Sequence, residues 1–198
     1  MWNDRFAGED YLYGTDPAGF LVREAARLPV GAHVLSVAEG EGRNAVWLAT
    51  QGHTVTAVEG APNAVQKARR LADARGVQVD FHLADLDEWD WDAHSYDAVI
   101  GIFIQFAPRP FQDRLMAGMK RALRPGGLIL LHGFAPRQVG YGTGGPPHAD
   151  QMYTADLLRD RFADFEIVQL RDYDGQIAEG RGHTGRAALV DLVARRPG

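Results

Sequence analysis

Residues 36–44 read Ser-Val-Ala-Glu-Gly-Glu-Gly-Arg-Asn. Gly40 and Gly42 stand between an apolar run and a helical pattern. Glycines there let the backbone turn tightly and let a ligand come close where a Cβ would clash, although an ordinary strand-to-helix turn uses the same spacing. Glu59, with Gly60 after it, ends the next apolar run, roughly the ~20 residues downstream at which an acid can accept both hydroxyls of a ribose. Asp85 and Leu86 follow a third run, where a carboxylate can accept a hydrogen bond from an adenine amine. Gly40-x-Gly42-x-x-Ala45 also fits a dinucleotide fingerprint. Glu39 and Glu41 separate the two ligands by charge: a pyrophosphate would be repelled, and a cationic ligand would be favoured.

A second set of polar side chains lies in the last third: Arg137, Tyr141, His148, Arg181 and His183. Residues 140–147 hold four glycines and two prolines, the composition of a loop and of a candidate lid. His183 follows Gly182 in what reads as a loop before the last strand. It can bind an anion, act as a base or hydrogen-bond the loop. His33, His53 and His82 fall on strand positions and read as structural. The sequence shows no His-x-x-x-His spacing and no acidic cluster, so no metal site is expected.

The elements needed to position these groups follow from periodicity. Asp16-Pro17 reads as a helix start, with Phe20, Leu21, Ala25 and Leu28 on one face and Pro29 as the stop. Apolar strands are expected over 33–38, 53–58, 77–83, 96–103 and 128–134, and helices over 44–51, 62–75, 110–123 and 154–162. This alternation predicts an α/β fold: a Rossmann-like, mostly parallel seven-stranded sheet with helices on both faces. The last two strands, over 165–170 and 187–194, have no helix between them and predict an antiparallel C-terminal hairpin. One domain is expected over 1–198, with an N-terminal flap and helix over 1–30, a ligand-binding half over 31–135 and an acceptor-side half over 136–198.

Composition narrows the function classes. A chain of 198 residues with 45% hydrophobic content can build one full core. With no cysteine, disulfides, cysteine-type zinc sites and thiol nucleophiles are excluded. The net charge of −5 and scattered Lys and Arg argue against a nucleic-acid partner. No basic segment followed by an apolar one begins the chain, and no run is long enough to cross a bilayer, so neither a signal peptide nor a membrane partner is expected. A cytoplasmic monomer or homodimer acting on a small molecule fits these limits.

With Tyr96-Asp97-Ala98-Val99-Ile100 opening the fourth strand and Arg124-Pro125-Gly126-Gly127 before the fifth, the chain resembles the class I S-adenosylmethionine-dependent methyltransferases. The cationic sulfonium and amine of S-adenosylmethionine suit the acidic loop. Ser36 and Ala38 depart from the family loop, which has an acid and a glycine there; Glu39 or Glu41 can replace the acid. A narrower likeness rests on Tyr11-Leu12-Tyr13-Gly14-Thr15-Asp16-Pro17, the string from Glu39 to Asn44, Thr143-Gly144-Gly145-Pro146, and Glu179-Gly180-x-x-His183-x-Gly185. These are similar to the tellurite-resistance methyltransferase group, itself similar to thiopurine methyltransferases.

The resemblance implies methyl transfer to a small soft acceptor of thiol, selenite or tellurite type. It implies that Tyr11, Tyr13 and Gly14 fold over the cofactor and that Glu39, Gly40, Glu41, Gly42, Asn44, Glu59 and Gly60 hold its methionine and ribose parts. Asp85 and Leu86 would hold adenine, Phe103 would face the sulfonium, and His183, Arg181 and Arg137 would serve the acceptor. Tyr11 and Tyr13 also fit a hydrophobic staple, and Phe103 also fits plain core packing. A nicotinamide-dependent oxidoreductase and a non-catalytic S-adenosylmethionine-binding domain remain as alternatives.

Overall fold

The structure is a computed structural model and describes residues 2–198; Met1 lies outside them. Its elements are α1 (Trp2–Arg5), α2 (Gly19–Glu24), β1 (His33–Val37), α3 (Arg43–Thr50), β2 (Thr54–Glu59), α4 (Pro62–Arg75), β3 (Asp80–Leu83), β4 (Tyr96–Ile102), α5 (Arg109–Arg121), β5 (Leu123–Phe134), α6 (Ala155–Arg161), β6 (Glu166–Glu179) and β7 (His183–Arg195). Short 3₁₀ turns follow α2 and lie between β5 and α6.

One seven-stranded sheet runs β3-β2-β1-β4-β5-β7-β6. The first five strands are parallel, and β7 pairs antiparallel with both β5 and β6. The mostly parallel sheet with its C-terminal hairpin is therefore as expected. β1, β4 and the second half of β5 are buried on both faces, which is why they read as continuous apolar runs. Leu35, Val37, Val99, Ile129 and Leu131 pack on one side against Leu115, Met116 and Met119 of α5. Val34, Ala98, Ile100, Leu128 and Leu130 pack on the other against Phe20 and Leu21 of α2 and Ala45 and Leu48 of α3. The chain runs outward from β1 to β3 and then returns to lay β4 on the other side of β1. That reversal opens a crevice at the carboxyl ends of β1 and β4.

Several boundaries differ from the sequence reading. α2 begins at Gly19 instead of at Asp16-Pro17. Ala18 is extended, and its N–H donates 2.9 Å to Asn44 Oδ1, so the chain is pinned to α3 before it can coil. β3 covers only Asp80–Leu83, shorter than 77–83. The hairpin strands are roughly twice as long as expected. β6 is an edge strand rich in charged residues, and the start of β7 is polar, so neither shows an apolar run. His183 is therefore the first residue of β7, facing Glu179 across the hairpin, and not a loop residue.

Candidate active site

The loop after β1 is held by its own acids. Ala38 has φ +48°. Glu39 accepts a short hydrogen bond from Ser36 Oγ and two from the first turn of α3, Asn44 N at 3.0 Å and Ala45 N at 2.9 Å. A carboxylate at a helix N-terminus satisfies open N–H groups and suits the helix dipole. Burial nevertheless outweighs these bonds and raises the Glu39 pKa to about 7. Gly42 is required by packing: at φ +95°, a Cβ there would lie 2.7 Å from Ala68 of α4.

Glu59 closes the crevice floor. Its Oε2 accepts from Gly40 N and its Oε1 from Ala61 N, both at 2.8 Å, and burial raises its pKa. Ala84 N donates 3.1 Å to Glu59 O, which brings the Asp85 loop beside Glu59. Gly40, Glu59 and Asp85 thus converge on one crevice. Asp85 is exposed, Leu86 is buried beneath it, and Asp85 Oδ1 accepts from Asp87 N. Gly60 lies against Ala84 O.

The N-terminal segment folds over this end. Glu41, expected as a cofactor ligand, is fully engaged: Oε1 pairs with Lys67 Nζ at 2.7 Å, and Oε2 accepts from Leu12 N at 2.7 Å. Tyr11 OH donates to Lys67 O, and Lys67 Nζ donates to Asp10 O. Asn44, by its bond to Ala18, and Glu41 therefore hold the flap in place. Gly14, at φ +74°, packs beside Gly180 of the hairpin turn. Phe6 lies over Gly40, and Tyr13 reaches His183 with ring centroids 4.5 Å apart.

His183 sits among aromatic walls. Phe103, at φ +57°, is 4.4 Å from it and Phe134 is 5.1 Å away. Gly182 allows the approach, because a Cβ there would fall 2.3 Å from the Tyr13 ring. His183 Nδ1 is buried without a hydrogen-bond partner. Burial first, and then the positive field of Arg43, lower its pKa to about 3, so the ring is neutral. Arg43 itself pairs with Glu179 at 2.7 Å, both side chains buried, tying α3 to the hairpin.

The other acceptor-side candidates do not join this cluster. Arg137 is paired with Asp172 and Asp174 on the hairpin surface. Arg181 is 72% exposed and meets Asp10 at 3.3 Å. Tyr141 OH donates to Asp174, and His148 is exposed. The 140–147 loop is pinned from within: buried Gln138 donates to Thr143 Oγ1 and Gly144 O, and its own Oε1 accepts from Ala188 N. Gly144 and Gly145 then rest against His183 and Phe134.

Sequence reasoning missed a buried pair one step away. His132 Nδ1 lies 2.6 Å from Asp191 Oδ1, and neither is exposed. One signal was legible: Asp191 interrupts an apolar strand, where a lone acid is rare unless paired. Gln105, whose amide bonds Phe134 N and O, was also missed.

The family pattern of a methyltransferase domain matches residues 34–127. Those residues run from β1 into β5 and include Glu39, Gly40, Glu59, Asp85 and Phe103. Over those residues the chain is similar to methyltransferase domains. The match favours the methyltransferase reading of the same glycines, with S-adenosylmethionine as the expected cofactor, over the nicotinamide one. Hemagglutinin 1 of Eikenella corrodens is 29% identical over 89% of this chain and 59% of its own length. A ubiquinone biosynthesis O-methyltransferase of Xanthomonas axonopodis pv. citri is 30% identical over 66% of this chain and 54% of its own. The chain thus spans about three fifths or less of these curated relatives.

Two solved structures share the fold. One was solved in connection with the conversion of a disulfide bond into a thioacetal group during echinomycin biosynthesis; it has a TM-score of 0.78 and 23% identity, over 96% of this chain and 86% of that one. TehB from Haemophilus influenzae has a TM-score of 0.71 and 18% identity, over 88% and 61%.

The residues present fit the cofactor. A side chain at Gly40 would meet only Phe6, at 3.9 Å, so the crevice is open there. Each Glu59 oxygen has one backbone donor and keeps a lone pair for a ribose hydroxyl. Asp85 is exposed at the rim with Oδ1 bound to Asp87 N; of the loop acids, Glu41 is neutralised by Lys67 and Glu39 caps α3, which leaves Glu59 as the acid at the crevice.

Proposed function

We propose that this chain is an S-adenosylmethionine-dependent methyltransferase whose acceptor is a small, soft nucleophile, a thiol first, with selenite and tellurite as the other members of the class. One observation carries the reading: a buried cluster of Tyr13, Phe103, Phe134 and a neutral His183 stands beside the glycine crevice. Rings of this kind would keep water away and offer polarisable surface to a polarisable acceptor. Glu59 would hold the ribose, Asp85 and Leu86 the adenine, and the backbone of residues 38–40 the methionine part, with Tyr11, Tyr13 and Gly14 as the cover.

The bound cofactor supplies a methyl group already activated on sulfur, so the protein's task is alignment and exclusion of water. Orientation of that kind can lower a barrier by on the order of 7–11 kcal/mol. His183 at a pKa of about 3 is a poor base, which suits an acceptor that is nucleophilic without it. The sulfur chemistry of the echinomycin relative is consistent with this class. The reading includes a small-molecule acceptor and a cytoplasmic setting; no helix among the described residues is long and apolar enough to cross a membrane.

Calorimetry and thermal shift with S-adenosylmethionine, S-adenosylhomocysteine, NAD and NADP test the first half, since only a ligand of the native state raises the melting temperature. Stabilisation by the two adenosyl ligands alone is expected, and Glu59→Ala is expected to weaken them tenfold or more, about 1.4 kcal/mol. A panel of thiols, selenite, tellurite, phenols and amines, read by S-adenosylhomocysteine release, tests the second. Turnover confined to amines would refute the soft-acceptor class.

A further inference from the structure

A cavity of about 300 Å³ opens between α2 and the β6–β7 hairpin. Pro17, Phe20, Tyr173 and Leu189 give it apolar walls, and Arg23 and His132 give it polar ones. His132 lies at the carboxyl end of β5, opposite Asp191 of β7. Asp191 accepts from His132 Nδ1 at 2.6 Å, from Arg23 Nη2 at 3.0 Å and from Tyr173 OH at 3.2 Å. A buried carboxylate facing Nδ1 places the ring hydrogen there, so the lone pair of the neutral imidazole is on Nε2. No described residue hydrogen-bonds Nε2.

The ring plane is fixed as well. Phe20 stacks on it at 4.9 Å with an interplanar angle of 8°, and Phe103 meets it edge-on at 4.7 Å. Phe103 is the same ring that walls His183 at 4.4 Å. Phe103 thus touches both histidine rings, and His132, which lines the cavity, has the carboxylate partner that His183 lacks.

We propose that the acceptor docks in this cavity and carries an ionisable S–H or O–H on a small apolar body, with His132 as its general base and Asp191 as the positioning residue. The proposal rests on the methyl-transfer reading above; its S–H arm lies within the soft class, and its O–H arm extends beyond it to an acceptor that needs a base. The S–H or O–H bond breaks with its electron pair left on the acceptor atom, and the proton forms an N–H bond at Nε2. The imidazolium charge lies against Asp191, and the proton later passes to solvent. A positioned base typically contributes about 10²–10⁴-fold in rate. A volume near the lower end of the usual pocket range, about 300–1,000 Å³, admits roughly one substituted ring.

The test needs no turnover. 4-Nitrophenol and thiophenol both ionise near neutrality and change their absorption when they do, and each is titrated with the intact protein, without cofactor, at one common pH slightly acid of neutral. Binding with appearance of the ionised band is expected. The arm whose ionised fraction rises further above that of the free probe at the same pH identifies oxygen or sulfur as the acceptor atom. His132→Asn keeps an amide donor for Asp191 and removes Nε2; it should bind the probe in neutral form. Asp191→Asn should bind it with a smaller ionised fraction than wild type. Ala178→Trp, an exposed position on the cavity wall, should weaken probe binding at least tenfold and leave S-adenosylmethionine affinity unchanged.

A probe that does not bind, or that stays neutral on wild-type protein, overturns the proposal. So does equal ionisation by His132→Asn. If S-adenosylmethionine still binds and another acceptor is methylated in those cases, the methyl-transfer reading stands and only this inference falls.

Discussion

His183 and His132 both lie against Phe103, both buried, both at the carboxyl edge of the sheet. His183 has aromatic rings on its faces and no acceptor for Nδ1. His132 has a buried carboxylate that also receives Arg23 and Tyr173. The contrast shows that burial alone does not decide what a histidine can do. A ring walled by aromatics under a positive field is held neutral, whereas a ring with an oriented carboxylate has a fixed tautomer.

Stability should separate the two sites most strongly. Asp191→Ala leaves His132 and Arg23 without their shared counter-charge and is expected to cost about 3 kcal/mol. His183→Phe removes an unpartnered buried nitrogen, and the lost desolvation penalty offsets imperfect packing, so a change within about 1 kcal/mol is expected. Urea unfolding of both variants at neutral pH checks this. Equal losses would mean that His183 has a partner as strong as Asp191.

Acid should act through His183 and Glu39 in opposite directions. The folded-state pKa of His183 is depressed from 6.5 to about 3, so below pH 6.5 the unfolded chain binds more protons and stability falls as pH falls. The loss is up to about 1.4 kcal/mol per pH unit. Glu39 is raised from 4.5 to about 7, so between those values the folded state binds more protons and gains stability as pH falls. The two partly cancel between pH 4.5 and 6.5; below 4.5 Glu39 drops out, and His183 acts together with ion-paired carboxylates whose pKa is depressed, Asp174 above all. His183→Phe should therefore flatten the acid limb of the unfolding curve, and Glu39→Gln should steepen the limb between pH 7 and 4.5. Parallel curves for wild type and His183→Phe would show that His183 is not the neutral group described.

Legibility in the sequence followed periodicity. β1, β4 and the core of β5 are buried on both faces and read as apolar runs; β6 is an edge strand whose charged residues concealed most of its length. The placement of Gly40, Glu59 and the Asp85 loop beside one another was readable because local order along the chain sets it. Glu41 and Arg137 were not, since their partners Lys67 and Asp174 are 26 and 37 residues away. The His132–Asp191 pair spans 59 residues and depends on strand register, which no single-sequence pattern encodes.

The smallest effect is expected at Arg181, and it bears on the same comparison. Arg181 sits two residues before His183, yet its side chain is 72% exposed and its pair with Asp10 is 77% exposed on the acid side. Exposed pairs of this kind contribute about 0–1 kcal/mol, because water and salt screen the charge and two long side chains must be held still. Arg43, by contrast, reaches the same hairpin from below through a buried pair with Glu179 and sets the positive field felt by His183. Arg181→Ala should change unfolding free energy by less than about 0.5 kcal/mol, leave S-adenosylmethionine affinity as it is, and leave the acid limb governed by His183 in place. A loss of acceptor turnover in Arg181→Ala at unchanged stability would return this arginine to the acceptor side and place the acceptor at the hairpin tip instead of in the cavity beside His132.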